Sequence, residues 1–303
     1  MSDLKLFRVV GSKAEELKGS AMELEKKLQN LIEGNMEAFF GVKFLATEYS
    51  TGHKHKGRID SIGIDENRSP VIFEYKKSKN QNVVTQGLFY LDWLLDHKAE
   101  FELLVMKSFP TDKLEVDWVN PRLLCIAGDF SRYDQYAVEQ MGRSIELYRY
   151  RDFNGELIAF ELLTTTTNPL TDTEEATTPA RRQQVSKTAP QLLAQANQAL
   201  RDLFNDLEAL LLGMGDDVTK TERKFYWAYR RIKNFACVEV HPQANTLLVY
   251  AKVDPTTVEL VDGFTRNVSK IGHYGTGDLE IRITDHAQLS QAEPLIAMSY
   301  ANS

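Results

Sequence analysis

The stretch GRIDSIGIDENRSPVIFEYKKSK, residues 57–79, decides how the first half of this chain is read. Two apolar runs, RIDSIGID and VIFEYKK, flank a segment whose Asn67, Ser69 and Pro70 favour a turn. With the hairpin centred on Asn67, residue 60 faces residue 74 and residue 58 faces residue 76. Glu74 and Lys76 stand two apart, so both leave the same face of their strand while Tyr75 points the other way. Asp60, Glu74 and Lys76 are therefore expected to converge on one face, with Arg58 close by. Two carboxylates about 5 Å apart repel unless something positive lies between them. A hard divalent cation meets that need, since Mg²⁺ takes oxygen ligands at about 2.1 Å and keeps several waters. Asp60 and Glu74 would bind Mg²⁺ or Mn²⁺, and the carbonyl of Tyr75 would add a ligand. Lys76 would position or help deprotonate the attacking water beside a phosphate. The competing reading is a solvated hairpin with cross-strand salt bridges. Asp60 among isoleucines, and Glu74 at the end of VIF, weigh against it, because charge on a buried run is costly without a purpose.

Working outward, NVVTQGLFYLDWLLDH reads as a helix over about 83–98, with Val84, Leu88, Leu91 and Leu95 as its buried stripe. Gln86, Tyr90 and Trp93 form a second stripe. Trp93 is expected to pack, whereas Gln86 is placed to hydrogen-bond a metal-bound water or a phosphate. Upstream, LKLFRVV reads as a strand, residues 13–40 as a helix and FLATEYST as a strand. Downstream, FELLVMKSF and RLLCIAGDF read as strands, 131–142 as a helix, and SIELYRYRDF with ELIAFELL as a closing pair of strands. This order is that of an α/β domain with a mixed sheet. KHKGR (54–58) and KKSK (76–79) bring Arg58, Lys56, Lys77 and Lys79 beside the site, either as phosphate contacts or as solvated loop charge.

The five positions Asp60, Glu74, Lys76, Gln86 and Tyr90, in that order, resemble the PD-(D/E)xK nuclease superfamily. More closely, GRIDSIGID, PVIFEYK and QGLFYLDWL are similar to the nuclease domain of the NucS-like endonucleases, over about residues 20–130. The resemblance implies a restriction-endonuclease-like mixed sheet flanked by helices. It also implies metal-dependent hydrolysis of phosphodiester bonds in DNA, in repair or defence, with Tyr90 supporting its helix at the nucleic-acid side. It adds an acidic residue from the helix before the sheet. Glu23, Glu25, Glu33 and Glu48 are the candidates; the resemblance selects Glu25, and Glu48, reaching in from a strand, is the second choice. Ile59 stands where the superfamily often has proline. The NucS-like proteins carry a separate N-terminal DNA-binding and oligomerising domain, whereas this sequence opens almost directly on the nuclease helix, so mismatch recognition is not expected.

The totals set the frame. The 303 residues suggest two domains, and 43% hydrophobic with 26% charged residues is an ordinary globular balance. The net charge of -7 argues against a protein coated in positive charge but leaves room for a local basic groove. Cys125 and Cys237 lack CxxC spacing, and no leader or bilayer-length apolar run is read, so a cytoplasmic protein without a membrane role is expected. The histidines show no transition-metal spacing, and GHYGTGD (272–278) reads as a loop. The Thr- and Pro-rich residues 164–190 cannot bury enough surface to offset their ordering entropy, and read as a flexible linker between domains 1–163 and 191–303.

The second domain reads as α+β. QLLAQANQALRDLFNDLEALLLG is expected to be one long helix and TERKFYWAYRRIKNF another. CVEVHPQANTLLVYAKV follows as a hairpin, then a helix at TTVELVDGF, a strand at DLEIRIT and a last helix. About residues 198–301 resemble a domain of unknown function, DUF5655, which implies no activity. The whole chain is also similar to bacterial proteins loosely labelled as transport proteins, so a non-catalytic scaffold or a transport-associated interaction protein are the rivals. Lys220, Arg223, Lys224, Arg230, Arg231 and Lys233 interleave with aromatics, read mainly as one wet face and one buried face, with a nucleic-acid surface as the alternative. DNA is the expected partner; a homodimer is left open, and nothing names a partner for the second domain.

Overall fold

The computed structural model describes residues 5–22, 25–52, 56–76, 83–110, 115–166 and 187–303. The chain divides into two compact units, Met1–Leu170 and Thr171–Ser303.

In the first unit, β1 (Leu6–Val10) and β2 (Lys13–Leu17) form a separate two-stranded ribbon. Residues 13–17 are thus a strand and not the start of the long helix expected from 13. Gly11, at φ +63°, makes the tight turn that lets Lys13 pair with Val10. The helix α1 (Glu25–Phe40) begins later, buries Leu28, Ile32, Met36 and Phe40, and is kinked at Asn35.

The main sheet holds six strands in the order β3 (Val42–Ser50), β4 (Arg58–Asp65), β5 (Pro70–Lys76), β6 (Arg122–Ala127), β7 (Ser144–Phe153) and β8 (Leu157–Thr165). β5, β6 and β7 are mutually parallel; the other neighbours are antiparallel. The β4–β5 register, Ser61 opposite Phe73 and Ile64 opposite Pro70, is the one a turn centred on Asn67 requires. β6 is buried from end to end, as a central parallel strand should be. The helices α2 (Val83–Asp96) and α3 (Lys98–Ser108) follow β5, and α4 (Arg132–Glu139) follows β6 behind a reciprocal Ser131–Asp134 cap.

FELLVMKSF, expected as a strand, belongs to α3. Phe101 and Val105 are buried four residues apart while Leu103 and Met106 are exposed. That period is helical, and the brevity of the apolar run hid it.

The second unit is a six-stranded antiparallel sheet with helices α5 (Ala189–Gln195), α6 (Gln198–Leu212) and α7 (His286–Ala301). Its strand order is β13 (Thr265–Asn267), β14 (Leu279–Ile283), β12 (Thr246–Ala251), β11 (Asn234–His241), β10 (Trp227–Arg230), β9 (Thr219–Glu222). The single helix expected over 191–213 is broken in two, because Ala196 turns extended and the Asn197 side chain caps α6 by accepting from Leu200 N–H (2.8 Å). TERKFYWAYRRIKNF is not a helix but β9, β10 and the start of β11. Trp227 and Tyr229 enter one core while Tyr226 and Ala228 enter the other, the period of two that marks a strand. The hairpin over CVEVHPQANTLLVYAKV is present as β11–β12, with Asn245 at φ +50° in its turn. TTVELVDGF holds turns in place of the expected helix. Among the described residues, no helix is long and apolar enough to cross a membrane.

Candidate active site

The backbone ladder between β4 and β5 runs as far as Ser61–Phe73, and beyond it the two strands are joined by carboxylates. Tyr75 N–H donates to Asp60 Oδ2 (3.0 Å), and Asp60 N–H donates to Glu74 Oε1 (3.3 Å). The strands thus fork, and each carboxylate holds the opposite strand's amide. Tyr75 turns its side chain away, with its hydroxyl donating to Ser61 Oγ (3.1 Å).

Glu74 is fully buried, and its Oε2 has no hydrogen-bond partner. Burial first, and the neighbouring Asp60 second, push its carboxyl up to about 9. Asp60 is also raised, by burial, against the pull of the Tyr75 amide and Lys76. Lys76 Nζ lies 4.0 Å from Glu25 Oε2, so the first turn of α1 reaches the end of β5. Four of the expected residues, Glu25, Asp60, Glu74 and Lys76, are therefore brought together.

The other expected residues take different places. Gln86 is set back: its amide donates to the Tyr90 hydroxyl (3.2 Å), which also accepts from Arg58 N–H (3.2 Å). Tyr90 is only 6% exposed and packs against Gly57, so it ties α2 to β4 and offers no face for a nucleic acid to touch. Trp93 is likewise buried, against Tyr49 and His97. Arg58 and Lys56 are exposed at the rim. Lys77 and Lys79, with Glu23, lie outside the described residues. Glu33 accepts from Ser61 Oγ (2.6 Å) and serves the α1–β4 packing. Glu48 lies on β3 between Thr47, opposite Ser61, and Tyr49, opposite Ile59, which sets it across from Asp60.

Gln29 was not anticipated. It is 4% exposed, and its amide nitrogen donates to the Asp60 carbonyl (2.7 Å) and to Glu33 Oε1 (2.9 Å). Its signal in the sequence is the polar line Glu25, Gln29, Glu33 at four-residue steps beside the Leu28–Ile32 stripe.

The donor set fits a hard divalent cation. It consists of two carboxylates on adjacent strands, one with a buried oxygen lacking any partner. Among the described residues no three His, Cys, Asp or Glu side chains gather closely enough to hold a metal ion. The remaining ligands would have to be backbone carbonyl and water, as Mg²⁺ commonly accepts.

In the second unit the interleaved cations are mostly committed. Lys220 pairs with Glu208 and lies over Phe204 and Trp227, Arg231 pairs with Asp217, and Arg223 and Arg230 are buried.

Residues 189–303 match the family model described as domain of unknown function DUF5655. An uncharacterized protein of Haemophilus influenzae is 26% identical over 303 residues, covering 97% of this chain and 98% of that one. A crystal structure of a repair endonuclease from Pyrococcus abyssi is 23% identical, with a TM-score of 0.31, covering 44% of this chain and 50% of that one.

Proposed function

We propose that the first unit is a metal-dependent endonuclease hydrolysing phosphodiester bonds in DNA. The observation that carries this reading is the fork: Asp60 and Glu74 side by side, Glu74 Oε2 buried without a partner, and Lys76 two residues on. A pair of buried carboxyls is costly unless protonated or charge-compensated, and such pairs recur where chemistry needs them.

Asp60 and Glu74, with the Tyr75 carbonyl, would hold Mg²⁺ or Mn²⁺. The cation would supply a more acidic bound water and neutralise phosphate charge. Lys76 holds and orients the attacking water and screens the charge that develops on the phosphate. Glu25 keeps the Lys76 ammonium at the strand end. Gln86, bonded through Tyr90 to β4, sets the position of α2 at the edge of the site.

The test is cleavage of single-stranded, duplex, branched and mismatched DNA and of RNA by the full chain with Mg²⁺ or Mn²⁺, beside Lys76→Ala. Metal-dependent products absent from the variant are expected. No products on any substrate, together with no metal binding by calorimetry, would overturn the reading in favour of a non-catalytic scaffold.

A further inference from the structure

Glu48 has a backbone conformation that a strand residue with a Cβ rarely takes. Its φ is +50° inside β3, two residues beyond the register shift between Phe44 and Ala46. Such an outlier persists only when its surroundings over-determine it, and outliers of this kind cluster at functional sites. The conformation coincides with a specific arrangement. Glu48 Oε1 accepts from Lys26 Nζ of α1 (3.2 Å), and Glu48 Oε2 lies in ion-pair contact with Arg58 Nε of β4 without a hydrogen bond. Lys26 is held from a second side by Gln29 Oε1 (3.0 Å), the same side chain that grips the Asp60 carbonyl. One carboxylate thus gathers cations from two elements next to Asp60.

Both cations remain open to solvent, with side-chain exposures of 54% for Lys26 and 68% for Arg58. Arg58 meets Glu48 through Nε, which leaves its terminal nitrogens for another acceptor, and a guanidinium offers five donors in a fixed fork. The electrostatic setting favours such a seat. The acidic side chains at the fork offer a polyanion no attraction of their own, and a cation held by Asp60 and Glu74 addresses only the phosphate that it touches.

We infer that Lys26 and Arg58, oriented by Glu48, form a preformed seat for a backbone phosphate neighbouring the one that is cut. This rests on the nuclease reading for the identity of the ligand. Glu48 is a positioning residue: it acts through the two cations and fixes where the strand lies relative to Asp60.

Three full-length variants test it: Arg58→Ala, Lys26→Ala and Glu48→Gly. Glycine takes a positive φ without strain, so Glu48→Gly removes the carboxylate while the relief of the backbone offsets the lost contacts to Lys26 and Arg58. Two readouts are taken: duplex and single-stranded DNA binding by anisotropy in Ca²⁺ over a range of salt, and steady-state cleavage in Mg²⁺. Each variant is expected to weaken DNA binding and raise KM about tenfold with kcat nearly unchanged, and each cation loss should flatten the salt slope by about one. Arg58→Lys should restore part of the affinity. Glu48→Gly should bind worse while melting no lower than wild type, a combination that a purely structural role does not produce. Unchanged affinity and salt slope in all three, with metal-dependent cleavage intact, would overturn the seat and spare the nuclease. Tighter binding by Glu48→Gly would also overturn it, by making the carboxylate a competitor of phosphate. DNA binding lost in the variants of a protein that never cleaves would leave the seat standing and overturn the nuclease.

Discussion

β4 carries an aspartate near each end, and the two ends treat negative charge in opposite ways. At the turn end, Asp65 Oδ1 accepts from Asn67 N–H (2.9 Å) and Ser69 N–H (2.8 Å), and its Oδ2 accepts from Arg122 (3.0 Å). Arg122 also makes a two-pronged pair with Glu146 (2.8 and 3.0 Å). Burial works against the Arg122 charge, but Glu146 and Asp65 more than offset it and hold the guanidinium firmly protonated. At the other end, Asp60 and Glu74 share no buried cation of that kind, Glu74 keeps a proton to about 9, and one oxygen has no partner. The same sheet can therefore satisfy buried carboxylates from within. At the Asp60 end it leaves Glu74 Oε2 buried without a partner.

The sharpest way to break this contrast is activity. Asp60→Ala should lower metal-dependent cleavage by at least about a thousandfold, the scale of losing a main electrostatic group, without unfolding the protein. Full activity in the folded variant would mean that the two ends do not differ in kind. Next in size is Arg122→Leu, which strands two buried carboxylates and should cost about 3–5 kcal/mol in urea unfolding. A loss under about 1 kcal/mol would show that the turn end does not depend on its pair.

The pH dependence of stability is a smaller effect with a definite sign. The folded protein keeps a proton on Glu74 up to about 9, while the unfolded chain gives it up near 4.5. The native state binds more protons across that window, so metal-free stability falls as pH rises from 4.5 towards 9. Wild type should melt roughly 10 °C lower at pH 8.5 than at pH 5.5 by this route, Glu74→Gln should not show that component, and Mg²⁺ should restore more at the higher pH. Identical pH slopes for the two proteins would remove Glu74 as the source. The smallest expected change is Gln29→Leu, which leaves the Asp60 carbonyl unpaired and should cost about 1–3 kcal/mol while weakening metal binding several-fold. A loss of stability with metal affinity untouched would confine Gln29 to packing.

How legible each part was follows from how local its signal is. The hairpin register was readable because turn residues and alternation both sit within 58–76, and it brings Asp60 beside Glu74; the expected pairing of residue 58 with residue 76 is not made, because the ladder ends at Ser61–Phe73. The DUF5655 match at 189–303 was also foreshadowed by long runs of sequence. Runs such as FELLVMKSF and FYWAYRRIK went to the wrong element because a short apolar stretch satisfies both periods, and only distant packing partners choose between them. Gln29 and the Glu48 pairing depend on contacts between α1, β3 and β4 that no local spacing displays. Glu25 was selected through a resemblance, and its place beside Lys76 depends on where the kinked helix lands.

The fork between β4 and β5 has one more consequence. The amides of Asp60 and Tyr75 are each bonded to a carboxylate that a metal would draw on, instead of to a backbone carbonyl. On the metal-binding proposal, these two N–H groups would report what the site contains. Their nitrogen chemical shifts and hydrogen-exchange rates should move on metal addition while the rest of both strands stays still, reporting occupancy before any bond is cut.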